Sequence, residues 1–177
     1  MAYPKNTINV GAALEVIASD TIPIPTIGIT PVSGTTTGTG ATNKKLIDSN
    51  ENFILKNIRV GDIVYNTSNN TVATVESVDG ETELTLSTNI MQSSGQTYTI
   101  YLGSPSKSSD GCLLYVGSNQ SSLTTTNSFV DLKVKTTAKN IVTFNKFRVG
   151  QCLPVQVLQL FYTGTDIDVI NSCVAIW

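Results

Sequence analysis

Residues 143–177 read TFNKFRVGQCLPVQVLQLFYTGTDIDVINSCVAIW, and this stretch decides the fold class. Two apolar-rich runs, Leu153 to Tyr162 and Asp168 to Trp177, flank the short turn Thr163-Gly164-Thr165-Asp166. In the first run Val155, Val157 and Phe161 share one parity, while Leu158 and Leu160 take the other. Apolar side chains on both faces are the pattern of a strand covered on both sides. The second run has the same character and ends on Trp177, whose large ring predicts a packed position against its own core or another subunit.

The flanking segments extend the pattern. Val130, Leu132 and Val134 lie on one face of the run Phe129 to Lys135, with Asp131, Lys133 and Lys135 on the other. Ala138-Lys139-Asn140 turns the chain into a returning strand, Asn140 to Phe144, and Cys112 to Gly117 reads as a further strand before the polar loop Ser118 to Asn127. Near the start, Gly11 and the β-branched Val10, Val16 and Ile17 favour an extended arm over a helix. Pro23, Pro25 and Pro31 forbid both a helix and a central ladder strand, leaving Ile22, Ile24, Ile27 and Ile29 to dock on something.

Residues 44–102 read as a self-contained block. Ile58 to Asn66, Thr71 to Val78, Glu83 to Leu86 and Thr97 to Tyr101 are strand-like, with the hairpin signals Asn66 to Asn70 and Asp79-Gly80 between them. The Gly/Thr/Ser-rich stretches 33–43 and 103–111 bracket this block and read as flexible linkers. The sequence therefore predicts an all-β chain: a discontinuous antiparallel β-sandwich from 1–32 and 104–177, with a small barrel-like β domain at 44–102 inserted in one loop.

Composition narrows the function classes. Only 14% of the 177 residues are charged and the net charge is −2, so no basic field attracts nucleic acid or an acidic membrane. No run approaches the roughly 20 apolar residues of a membrane helix, and no signal peptide is expected at the start. There is no histidine, which removes His-based triads and His-ligated metals. The three cysteines, Cys112, Cys152 and Cys173, read as buried free thiols. Asp166 with Asp168 reads as turn chemistry, not a catalytic pair, and Asp79 with Glu81 lacks the pattern of a calcium loop. No catalytic residue, metal site or cofactor is expected.

A set of ordered motifs carries a resemblance. Ser19-Asp20-Thr21…Pro23-Ile24-Pro25, then Gly111-Cys112-Leu113-Leu114-Tyr115-Val116-Gly117, then Val142-Thr143-Phe144…Val149-Gly150…Leu153-Pro154-Val155-Gln156-Val157, then Tyr162-Thr163-Gly164-Thr165, together resemble the head spike base proteins of tailed phages and gene transfer agents. The likeness covers the two ends of the chain, and the block 44–102 departs from it. That block looks like small β modules that recur in phage virion proteins. The resemblance implies a non-enzymatic capsid decoration unit on the outer surface of the head, ahead of a tail position, made in the host cytoplasm. Its partners would be further copies of itself, as a pentamer or trimer, and the major capsid protein or other virion proteins.

Two other classes compete. A glycan-binding adhesin or tail-fibre module would use exposed aromatics of the block, with Tyr65, Tyr98 and Tyr101 as candidates set against a role as cross-strand or core rings. A β-fold hydrolase would need two carboxyls in a cleft, whereas the acidic residues here fall mostly in turns. For assembly, the candidate contacts are Ile22, Ile24, Ile27, Ile29, Arg148 and Trp177.

Overall fold

A computed structural model describes residues 11–25, 30–38, 43–102, 111–120 and 128–177. The described chain is all-β, with twelve strands in two antiparallel six-stranded sheets. The strands are β1 (Ala13–Val16), β2 (Val32–Thr35), β3 (Lys45–Ile47), β4 (Ile63–Asn66), β5 (Thr71–Val78), β6 (Glu83–Leu86), β7 (Thr97–Tyr101), β8 (Cys112–Val116), β9 (Phe129–Thr136), β10 (Ile141–Arg148), β11 (Gln151–Leu160) and β12 (Cys173–Ile176). One sheet runs β1-β12-β8-β11-β9-β10 and the other β2-β7-β4-β5-β6-β3.

In the first sheet β11 is the pivot. Gln151 to Val157 pairs with β8, and Val157 to Leu160 pairs with β9. The ladder breaks between Cys152 and Gln156, where Pro154 has no N–H to give. The segment after β1 lies along the far half of β11, with Ser19 N donating to Leu160 O at 2.9 Å and Ile24 N to Leu158 O at 2.8 Å. The sheet thus curls over one apolar core that joins Val16 of β1 to Leu132 of β9 and Leu160 of β11. The last four residues of β11, including Gln159, are all buried, which bears out the two-sided reading of that strand. The second predicted strand is shorter than expected. Asp166 to Ser172 forms turns, closed by Val169 N to Asp166 O and Ser172 N to Val169 O, both 3.1 Å, before β12 begins at Cys173.

The second sheet is a curled barrel with its own core, centred on Leu46, Phe53, Val64, Leu84, Leu86, Tyr98 and Ile100. Its edges meet: Thr37 N, just past β2, donates to Ile47 O of β3 at 2.9 Å. β2 itself occupies Val32–Thr35, overlapping the start of the stretch 33–43 expected to be a linker, and pairs with β7. Its glycine is what allows this. A Cβ on Gly34 would collide with the Tyr98 hydroxyl and lie 2.7 Å from Asp48 Oδ2. Close approach of the backbone to the barrel core, not flexibility, explains that residue.

Candidate functional site

The two sheets meet at a small apolar junction. Ile22, Ile63 and Tyr65 are buried there, with Leu14, Ile17, Val72 and Tyr101 packed around them. Tyr65 and Tyr101 sit edge to face, ring centroids 5.2 Å apart. Two of the three candidate sugar-stacking rings are therefore neighbours, but Ile22, Leu14 and Ile17 pack over them. Tyr65 is only 4% exposed, and burial pushes its phenol well above the ordinary value. Tyr98 points into the barrel core, where its hydroxyl donates to the buried Asp48 Oδ2 at 2.7 Å. These tyrosines do not form an open ligand face. They fasten the sheets together and fill the barrel, as cross-strand and core rings do.

The candidate assembly residues scatter. Ile22 belongs to the junction and Ile24 to the core of the first sheet, so neither is available to a neighbour. Ile27 and Ile29 lie outside the described residues. Trp177 is half-buried against its own core, and its backbone pairs with the start of β1: its N–H donates to Ala12 O at 3.0 Å and its carbonyl accepts from Gly11 N at 2.7 Å. Arg148 is exposed at the end of β10, opposite Phe129.

The acidic residues are held one by one. Asp166 Oδ2 accepts from Asp131 N at 2.7 Å, while Asp168 Oδ1 accepts from Gln120 Nε2 at 2.7 Å. Asp79 takes hydrogen bonds from Thr85, Lys45 and Ser77, which hold its carboxyl down at about 2, the Thr85 hydroxyl contributing most. Lys45 also pairs with Glu83 at 2.9 Å. No group of three His, Cys, Asp or Glu side chains among the described residues is placed to hold a metal, and no described helix is long and apolar enough to cross a membrane. Of the cysteines, Cys112 and Cys173 are buried, and burial pushes both thiols up to about 12. Cys152 is exposed, against expectation, because it sits where β11 breaks from β8.

Neither a family model, nor a curated protein, nor a solved structure matches this chain. The site must be read from its own geometry, and two features stand out that the sequence reading missed. One is the free edge of the first sheet. Among the described residues β10 pairs only with β9, and six of its eight residues are exposed. Ile141 is 57% exposed, Val142 37%, and Phe129 on the neighbouring strand 49%. Thr136 N donates to Asn140 O at 2.9 Å, so antiparallel alternation turns the amides of Ile141 and Thr143 away from β9. The bulge between Phe144 and Phe147, with Lys146 at φ 53°, limits the open ladder to the first half of the strand. The sequence signal was present in Ile141-Val142, next to the turn at Ala138–Asn140, but periodicity does not say which strand ends a sheet. The second feature is a cleft of about 340 Å³ beside the junction, between the segment Ile17–Asp20, the hairpin after β4 and the turn at Tyr162.

Proposed function

We propose that this protein is a non-enzymatic structural component of a tailed-phage virion, a homo-oligomeric decoration or spike-base unit on the capsid head. The observation that carries this reading is the open, apolar edge of β10. A sheet edge with outward amides at Ile141 and Thr143, beside the exposed side chains of Ile141 and Val142, is a template for pairing with another chain. The opposite edge, β1, is only four residues long, and its Leu14 packs into the junction. Pairing with further copies would cover the exposed edge. The charge-poor surface, with 14% charged residues, offers little repulsion between copies. The ordered motifs shared with head spike base proteins supply the virion setting. Capsid neighbours are the second partner of this proposal, and Arg148, at the exposed end of the same strand, is placed to contact one.

The test is solution mass by light scattering, with Ile141→Lys/Thr143→Lys as the edge variant. Both side chains lie on exposed positions, so the fold should survive. The expected result is a discrete oligomer for the native protein and an 18.9 kDa monomer for the variant. A native protein that stays monomeric and does not co-sediment with purified capsids would remove the proposal.

A further inference from the structure

The cleft beside the junction has a floor and a rim of different chemistry. Ala18, Ile90 and Ile170 are buried at its base, with Ile17 and Val72 half-buried. Around it stand Asp20, Asn70, Asn171 and the 53%-exposed ring of Tyr162. An apolar base with a few convergent polar groups is the general form of a small-ligand site, and about 340 Å³ is at the small end of that range.

Three details narrow the ligand. First, among the described residues the lining contains no lysine or arginine, and its one charge is Asp20. Thr163 donates to both Asp20 oxygens, from its N–H at 2.9 Å and its hydroxyl at 2.6 Å, and these bonds hold the carboxyl below its ordinary range. Asp20 is therefore an acceptor at neutral pH with lone pairs to spare, which welcomes hydroxyl donors and repels anions. Second, Asn70 and Asn171 stand exposed at the rim and bring amide donors and acceptors to it. Third, the Asp20–Thr163 bonds anchor the turn whose backbone presents Tyr162 at the rim.

We propose that this cleft binds a neutral carbohydrate, a single pyranose or the end unit of a glycan. Its apolar C–H face would lie against the Tyr162 ring and its hydroxyls would meet Asp20, Asn70 and Asn171. The site is distinct from the β10 edge, so the protein can bind sugar and assemble independently. None of Tyr65, Tyr98 and Tyr101 lines it.

The experiment is amide chemical-shift mapping of the intact protein. The probes are the methyl glycosides of glucose, galactose and N-acetylglucosamine and the disaccharides cellobiose, lactose and chitobiose. At least one should bind with Kd on the order of 1 mM or tighter. The shifts should be confined to Ile17–Asp20, Asn70–Val72, Thr88–Ile90, Tyr162–Thr163 and Ile170–Asn171. Tyr162→Ala should weaken that probe about tenfold, equivalent to about 1.4 kcal/mol, and Asn171→Ala several-fold. Both residues are exposed, and an otherwise unchanged spectrum checks that the variants fold. Absence of any shift across the panel, shifts elsewhere, or undiminished binding by Tyr162→Ala would each overturn the proposal. If light scattering shows assembly but this panel is silent, the cleft alone is at fault.

Discussion

Replacing Gly34 with alanine should reveal how tightly the barrel closes. The new Cβ would collide with the Tyr98 hydroxyl and lie 2.7 Å from both Tyr98 Cζ and Asp48 Oδ2. Tyr98 and Asp48 are each 1% exposed, so neither can swing into solvent to make room. Overpacking of this kind costs about 1–3 kcal/mol. If the ring is displaced, its hydrogen bond to the carboxylate adds about 1.5–3 kcal/mol. The expected loss for Gly34→Ala is thus about 2.5–6 kcal/mol, a large fraction of the roughly 5–15 kcal/mol typical of a whole domain. Tyr98→Phe alone removes the donor to Asp48 Oδ2 while Asn50 N still serves Oδ1 at 3.0 Å, so about 2 kcal/mol is expected. The double variant should cost less than the sum by at least about 1 kcal/mol, because phenylalanine takes away the oxygen the methyl strikes. Hydrogen exchange at the barrel amides during urea titration measures each loss, while Trp177 fluorescence follows the first sheet separately. Additivity within about 0.5 kcal/mol would refute the steric account. So would a Gly34→Ala protein as stable as its parent.

Other outcomes follow from the same geometry. Asp79 has a folded value of about 2 against an ordinary 3.8, so its contribution is present above pH 3.8 and fades as pH falls toward 2. Because the carboxyl is near the surface, Asp79→Asn should cost only about 1 kcal/mol or less at neutral pH and flatten that acid limb in pH-dependent thermal melts. Cys152 alone should react with maleimide in the folded protein, with Cys112 and Cys173 labelled only on unfolding, as read by peptide mass; equal labelling of all three would contradict the burial described. The two buried thiols, raised from 9.0 to about 12, contribute stability that is full below pH 9 and lost as pH climbs toward 12, so Cys112→Ser should change the shape of the alkaline melting curve. Trp177→Ala should destabilise the first sheet by about 2 kcal/mol without changing solution mass, since its ring packs on its own core. A loss of oligomer with unchanged stability would instead place Trp177 between subunits.

Much of the strand pattern was legible. Thr71–Val78, Glu83–Leu86 and Thr97–Tyr101 appear with their predicted bounds, because period-two alternation and the turn signals at Asn66–Asn70 and Asp79-Gly80 agree there. β2 was not legible. Its Ser-Gly-Thr composition is that of a linker, and only the approach of Gly34 to Tyr98 from across the barrel gives it a strand's role. The tyrosines show the same limit. Alternation placed Tyr65 and Tyr101 on strands, but the residues that cover them, Leu14, Ile17 and Ile22, lie far back in sequence. The cleft was invisible for the same reason: it joins the segment Ile17–Asp20, the hairpin at Asn70 and the turn at Tyr162, three places no local pattern connects.

The order of the strands also sets an order of events during synthesis. Every partner in the barrel lies between Val32 and Tyr101, so that sheet can close as soon as this stretch leaves the ribosome. β1 is made earlier, yet its pairing partner is β12, at Cys173–Ile176. At roughly 5–20 residues per second, β1 waits about 4–14 s after β7 is complete. A finished barrel therefore hangs beside an unpaired strand throughout that interval. The nascent chain is most exposed to misassociation in its first sheet, and a chaperone that shields β1 would act on the earliest strand to gain the yield of the latest.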